Sequence, residues 1–154
     1  MNTTALEVLQ AAFPDVPCTA SVDAVVMTVQ PAQLESTLSR LKSDPDLNFG
    51  MLIDVTGIDY LNYPVRQEAR FAVVYILRNW EKNMLVQVRV PVADPEEGIP
   101  TATSLWDSAN WGERETYDQY GITFQGHPAL RRILNHWQFE GHPLRKDYPI
   151  EKGQ

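Results

Sequence analysis

Apolar residues recur at helical spacing in two segments of the first half of the chain. Residues 4–7, Thr-Ala-Leu-Glu, fit a capping box, so we predict a helix from Thr4 to about Phe13. Pro31 suits the first turn of a second helix, which the polar residues 43–46 end. Its apolar face consists of Leu34, Leu38 and Leu41. We expect both helices to pack on a sheet through these faces.

Five segments have the composition of β-strands. They are residues 18–20, 22–29, 49–60, 71–77 and 84–90. The expected faces of the third segment are Met51, Ile53 and Val55 against Leu52, Asp54 and Thr56. Gly57 is expected to mark a bulge or a bend.

The fourth and fifth strand segments predict a hairpin at the middle of the sheet. Residues 71–77 are apolar at every position, which is typical of a central strand covered on both faces. Residues 79–83 form the predicted turn, and residues 84–90 return with alternating apolar and polar positions. We therefore expect residues 71–77 near the sheet centre.

A third helix is predicted over residues 111–120, with Asn110 as its N-cap, Glu113 at the third helical position and Gly121 as its stop. The predicted fold is α+β, with two layers and a mixed sheet. The core order is helix-strand-strand-helix-strand-strand-strand, followed by this helix and an extended irregular tail. Residues 1–121 form the core with its closing helix, and residues 122–154 form the tail of the same domain unit.

The tail contains two Gly-His-Pro units, residues 126–128 and 141–143, each followed by a basic pair. Glycine before and proline after each histidine disfavour a helix at either site. The segment nevertheless has too many large apolar residues for a disordered tail. We therefore expect it to be ordered on another surface, much of it supplied by a different protein.

Charge and cysteine content narrow the function classes. The net charge of the 154 residues is -7, yet residues 119–148 carry four basic and two acidic side chains, a local charge of +2. This distribution argues against non-specific nucleic-acid binding by the whole chain. A single cysteine, Cys18, excludes an internal disulfide and an all-cysteine cluster. No apolar run is long enough for a membrane span and no export signal is visible, so we expect a cytoplasmic protein.

Two groups of polar residues invite a catalytic or metal-binding interpretation. His127, His136 and His142 lie in or beside the Gly/Pro-rich segments, without metal-site spacing, so we expect their imidazoles to cap backbone groups or bond a partner carboxylate. The charged residues of the third helix are explained by an ion pair between Arg114 and Asp118 and by the positive helix N-terminus. No nucleotide-binding glycine motif is present. We predict no catalytic, cofactor-binding or metal-binding residue in this chain.

Three linked blocks of the last third resemble the C subunit of the proton-pumping NADH:quinone oxidoreductase, respiratory complex I. The blocks are residues 113–122 (ERETYDQYGI), 126–134 (GHPALRRIL) and 140–149 (EGHPLRKDYP). Between them the family often has Met-Pro-Asp-Asp-Trp, whereas this chain has Asn-His-Trp-Gln-Phe at residues 135–139. The resemblance covers about a quarter of the chain in detail.

The resemblance implies a peripheral-arm subunit that carries no cofactor, held on the cytoplasmic side of the inner (plasma) membrane. In that complex subunits D and B together build the quinone pocket, and the resemblance implies that the tail lies along the former. FMN and iron–sulfur clusters are then expected in partner subunits, and NADH and quinone act only at the level of the assembly. Related hydrogenases and ferredoxin- or F420-dependent dehydrogenases resemble this subunit too. A stand-alone adaptor or ligand-binding module without a redox role is the alternative from another class.

On this basis the partner interface is predicted from the charged and aromatic residues of the third helix and the tail. The residues are Glu113, Arg114, Glu115, Asp118, His127, Arg131, Arg132, His142, Arg145, Lys146, Asp147 and Tyr148. Arg131, Arg132 and Arg145 are the expected anchors, because a guanidinium can bind a carboxylate through two parallel hydrogen bonds.

Overall fold

The computed structural model describes the backbone of residues 2–151 and the side chains of residues 4–151. Its helices are α1 (Asn2–Ala12), α2 (Pro31–Ser43) and α3 (Ala109–Tyr120). Its strands are β1 (Cys18–Ala20), β2 (Val25–Thr28), β3 (Met51–Asp59), β4 (Phe71–Asn79), β5 (Met84–Val92), β6 (Ile99–Pro100) and β7 (Phe124–Gln125).

The first five strands form one mixed sheet in the order β1-β2-β5-β4-β3. The β2–β5 pair is parallel, and the other pairs are antiparallel. β4 and β5 form the predicted hairpin, and β4 lies inside the sheet between β3 and β5. The predicted α+β fold with a mixed sheet is confirmed.

One face of the sheet carries the core, which all three helices share. The apolar stripe of α2, the buried Leu9 of α1 and the buried Ala109 of α3 join one hydrophobic cluster with the inward side chains of the sheet. Alternate residues of β4 and β5 point into this cluster, because successive strand side chains face opposite sides. We call this the helix face, and the opposite side the open face.

The bulge in β3 lies at Ile53 and not at Gly57, so the predicted face assignment of this strand was wrong. The pairing with β4 shifts between Leu52 and Asp54, and Leu52 and Val55 are therefore both buried although they are three residues apart. Gly57 continues the regular ladder. A Cβ there would lie 2.5 Å from a ring carbon of Tyr120, so this glycine admits the α3 side chain.

Two predicted helix starts were also wrong, whereas the predicted stop of α3 is confirmed. α1 begins at Asn2, which places Thr4 inside the helix. α3 begins at Ala109, whose burial in the core extends the helix beyond the predicted cap, so Asn110 is helical and Ser108 is the N-cap. Gly121 ends α3 with a φ of 72°, the left-handed region that glycine enters without strain.

Candidate functional site

The tail folds back along α3 and is bound there by a buried carboxylate. The Asp118 side chain is fully buried, and its Oδ1 accepts hydrogen bonds from Arg132 Nη1 at 2.7 Å and Asn135 Nδ2 at 2.9 Å. Its Oδ2 accepts from three consecutive backbone N–H groups, those of Ile133, Leu134 and Asn135, at 3.1, 2.8 and 2.9 Å. Burial raises the pKa of Asp118, but these hydrogen bonds outweigh it and hold the pKa well below its usual range.

The second Gly-His-Pro unit caps the C-terminus of α3. His142 Nδ1 donates to the Asp118 carbonyl at 3.0 Å, Leu144 N to the Gln119 carbonyl at 3.1 Å and Arg145 Nε to the Tyr120 carbonyl at 2.7 Å. The last carbonyls of a helix have no partner within it, so these three donors supply what the helix lacks. The Arg145 guanidinium also carries its charge to the negative end of the helix dipole.

A second buried carboxylate, Asp59 at the end of β3, holds the last part of the tail. It accepts hydrogen bonds from Arg70 through both oxygens, at 3.0 and 2.9 Å, and from the backbone N–H of Lys146 at 2.8 Å. Burial raises the pKa of Asp59, but the hydrogen bonds from Arg70, Lys146 and Leu61 lower it to about 2. Arg70 also pairs with Asp147 at 2.9 Å and so joins β3, β4 and the tail.

Glu113 lies in the core and not on a partner surface. Its side chain is fully buried, and it accepts hydrogen bonds from the Tyr75 hydroxyl at 3.2 Å, the Thr101 hydroxyl and the Ala102 backbone N–H at 2.7 Å. Burial raises the pKa of Glu113 despite these donors. The carboxylates of Glu113 and Asp118 therefore lie beneath the surface in this conformation, which removes both from a direct partner contact.

The predicted ion pair between Arg114 and Asp118 is wrong. Asp118 pairs with Arg132, and Arg114 donates to the backbone carbonyls of Arg131 and Arg132 at 3.1 and 3.2 Å. The reason is that the tail brings backbone groups and a second arginine onto α3, where helix spacing alone predicts a local pair. Arg132 and Arg145, two expected partner anchors, are thus bonded to this chain's own groups.

The histidines have the predicted backbone contacts. His127 Nε2 donates to the Asn110 carbonyl at 3.3 Å, and its Nδ1 accepts from the Ala129 N–H at 3.0 Å. Burial lowers the pKa of His127 and of His142, which favours neutral imidazoles. The His136 ring makes an edge contact with Phe139. Among the described residues, no group of three histidine, cysteine, aspartate or glutamate side chains could hold a metal ion.

The remaining predicted interface residues divide by exposure. Glu115, Arg131, Lys146 and Asp147 are exposed. Tyr148 is half-buried and stacks on Phe139. The outward side of the tail is therefore polar only at scattered positions.

Large apolar side chains on this outward side are the residues that the predicted interface missed. Trp137 is 83% exposed and Leu134 66%, and Trp111 of α3 is 60% exposed. Leu134 and Trp111 border a groove of about 280 Å³ that also includes Ile53 and Glu115. We call these five residues and their groove the outer groove surface. Apolar residues within a polar, Gly/Pro-rich segment were the available signal.

The family assignment comes from comparison with known proteins. Residues 27–154 match the family described as the respiratory-chain NADH dehydrogenase, 30 kDa subunit. The C subunit of the NADH-quinone oxidoreductase of Methylobacterium sp. is 44% identical over 128 residues, which are 83% of this chain and 57% of that protein. Subunit 5 of the Thermus thermophilus enzyme is 50% identical over 111 residues, 68% of this chain and 53% of that protein. The chain thus spans little more than half the length of these relatives.

Solved structures agree with this assignment. A trypsin-resistant fragment of Nqo5 matches with a TM-score of 0.71 and 33% identity, over 84% of this chain and all of the fragment. A chain of an archaeal membrane-bound sulfane sulfur reductase matches with a TM-score of 0.77 over 96% of this chain and 85% of that chain, but at 20% identity it shows only the shared fold. In the described part of this chain, no helix has the length and apolar character that a membrane span requires. The chain belongs to the family of the 30 kDa subunit of respiratory-chain NADH dehydrogenase, whose curated members include the C subunits of NADH-quinone oxidoreductases.

Proposed function

We propose that this chain acts as a structural subunit in the peripheral arm of a proton-translocating NADH:quinone oxidoreductase. In this role it scaffolds the quinone-reducing module by binding subunits D and B. Its own residues perform no step of electron transfer. Family membership supports the kind of complex, and the arrangement of the tail supports the scaffolding role.

The observation that carries the proposal is the division of the tail into two sides. The polar groups that fix its conformation point inward, to Asp118, Asp59 and the C-terminal carbonyls of α3. Its large apolar side chains Leu134 and Trp137 point outward. Exposed aromatic and aliphatic residues in a rigid frame are typical anchors of protein interfaces. The tail thus presents a preformed apolar surface and loses little conformational entropy on binding.

The cofactors and the location follow from the same proposal. FMN and the iron–sulfur clusters belong to partner subunits, and NADH and quinone react only within the assembly. The complex holds the chain on the cytoplasmic side of the inner (plasma) membrane. One cysteine thiolate is too few to ligate an iron–sulfur cluster of the common four-cysteine type, which is consistent with clusters carried by other subunits.

Other electron donors and a stand-alone adaptor are separated by purification. The likeness to a sulfane sulfur reductase chain shares only the fold, whereas identities of 44% and 50% favour the NADH-linked complex. Affinity purification from native membranes should recover flavin- and iron–sulfur-bearing subunits together with NADH oxidation. Recovery of the chain alone would support the adaptor, and recovery with another donor activity would support a related complex.

The scaffolding role is tested at the outer groove surface. We expect the double variant Leu134→Ser with Trp137→Ser to lower the amount of assembled complex while the activity of each assembled complex stays near normal. The matched control is Val22→Ser, which removes an equally exposed apolar side chain, 96% exposed, from the β1–β2 turn. Full assembly combined with abolished quinone reduction would contradict the scaffold and favour a direct role near the quinone site.

A further inference from the structure

The open face of the sheet carries a single arginine among mostly apolar neighbours. The cross-strand partners of Arg89 are Val74 on β4 and Thr28 on β2. In the neighbouring positions of this face lie Ala72 and Pro91 on one side and Ile76 and Gln87 on the other. Most of these residues are buried or half-buried, although all three helices pack on the other face. Arg89 therefore lies on the central strand of a face that no helix covers in the described part of the chain.

The hydrogen-bonding capacity of Arg89 is largely unused. Its Nε is buried and has no acceptor, and its Nη2 donates only to Gln87 Oε1, at 3.3 Å. Within residues 4–151, no carboxylate forms an ion pair with it. Leaving a buried donor without an acceptor is costly, and a guanidinium satisfies its donors best through a carboxylate that accepts two parallel bonds. An incoming carboxylate would supply the missing acceptor.

A pocket of about 200 Å³ opens beside Arg89 between the open face and the loop after β3. Thr28, Tyr60 and Ala72 contribute to its lining. Glu68 lies on its rim, but its two carboxylate oxygens accept from the Gln30 amide at 3.0 and 3.2 Å. The volume is below the roughly 300–1,000 Å³ of ordinary small-molecule sites and suits a group of side-chain size.

We infer that the open face is a docking surface for a partner protein that inserts an aspartate or glutamate side chain into this pocket to bind Arg89. Charge complementarity carries the choice of occupant, because the pocket places an unpaired cation at the centre of an apolar sheet face. The chain as a whole has a net charge of -7, so an acidic partner segment would be repelled elsewhere and directed to this position. The inference rests on the proposed assembly role, and it adds a second contact surface remote in sequence from the tail.

The first test compares Arg89→Gln with Arg66→Gln, which removes the same charge from an exposed position in the neighbouring loop. In the isolated subunit we expect Arg89→Gln to leave the melting temperature unchanged or raised, because no internal ion pair is lost. In the complex, retention of the subunit during salt washes should fall about tenfold for Arg89→Gln and remain normal for Arg66→Gln. A lowered melting temperature would make Arg89 a structural residue, and equal retention of both variants would remove the docking role.

The second test identifies the occupant. A photoreactive amino acid at Thr28 in the assembled complex should cross-link to a partner-subunit peptide that contains an acidic residue. Changing that residue to its amide should reproduce the loss seen with Arg89→Gln, and combining both changes should add little. Additive losses would contradict a direct pair.

Two other occupants would overturn the inference. A wild-type dimer of the isolated subunit that Arg89→Gln dissociates would assign the face to a second copy of the chain. Saturable binding of acetate or succinate below about 1 mM, followed through the Arg89 Nε–H resonance, would assign the pocket to a small carboxylate. If the wild-type subunit fails to co-purify with any complex, the proposed function fails first. Normal co-purification with unaffected Arg89 variants refutes only this inference.

Discussion

The sheet core and the tail both reach one ordered conformation, but they bury different chemistry. The core joins apolar side chains of three helices and five strands, and its buried carboxylate, Glu113, has a raised pKa. The tail has almost no secondary structure and is bound through Asp118 and Asp59, whose pKa values are lowered. The two regions place carboxylates in opposite electrostatic environments within one small domain.

A segment without helices or strands can thus be fixed by acceptors that the body of the protein supplies. Its backbone N–H groups cannot bond to one another in a ladder, so they need partners elsewhere. Three consecutive N–H groups converge on Asp118, and three donors converge on the end of α3. The polar bonds of the tail are therefore concentrated at a few points, whereas core stability is spread over many contacts. Single polar substitutions should release the tail without unfolding the core.

Asp118→Asn should have the largest effect. The variant loses the charge and places an amide group among donors, so we expect tail docking to weaken by about 3 kcal/mol. Limited proteolysis should then cut after Gly121 much faster than in the wild type, while the remaining body keeps a cooperative thermal transition. Glu115→Gln is the matched control, because Glu115 is exposed on the same helix. Loss of the core transition in Asp118→Asn would contradict the separation of the two regions.

Acid should weaken the tail through Asp59 by a smaller amount. Its pKa is lowered from 3.8 to about 2, so the stability it contributes is fully present above its unfolded pKa and is lost as pH falls through the folded pKa. The difference corresponds to about 2 kcal/mol, lost between about pH 4 and pH 2. Denaturant unfolding across this range measures the loss, and Asp59→Asn should remove that part of the pH dependence. An unchanged pH profile in the variant would contradict the assignment.

Glu113→Gln should have the smallest effect. Burial raises the folded pKa of Glu113, so its ionisation costs stability as pH rises above its unfolded pKa. Glutamine resembles the protonated acid and keeps an acceptor for Ala102, so the free energy of unfolding at neutral pH should change by less than about 1 kcal/mol. Glu113→Ala leaves the buried Ala102 N–H without an acceptor and should cost about 1–3 kcal/mol. Equal losses in both variants would show that the carboxylate must be charged.

The apolar pattern predicted the fold well because each element of the core buries one regular face. The stripe of α2 and the unbroken residues 71–77 are local signals of that kind, and both elements form as expected. The bulge at Ile53 has no glycine or proline to announce it and arises from pairing with β4. Sequence could place Gly57 at a special position but could not identify the Tyr120 ring that requires it.

The contacts of the tail were beyond sequence reasoning because they join residues far apart in the chain. Helix spacing pairs Arg114 with Asp118, whereas the folded tail brings Arg132 to that carboxylate. The aromatic content correctly indicated an ordered segment. Which side of it faces outward depends on where Asp118 and Asp59 hold the backbone, and no local pattern records this.

Hydrogen exchange at the backbone amides of Ile133, Leu134 and Asn135 in the isolated wild-type protein decides whether the tail is preformed. If Asp118 holds the tail on the chain's own body, these three amides are protected well above random-coil rates without any partner, and Asp118→Asn abolishes the protection. Random-coil exchange in the isolated wild-type protein, with protection only in the assembled complex, would contradict a preformed tail and show that the partner orders it.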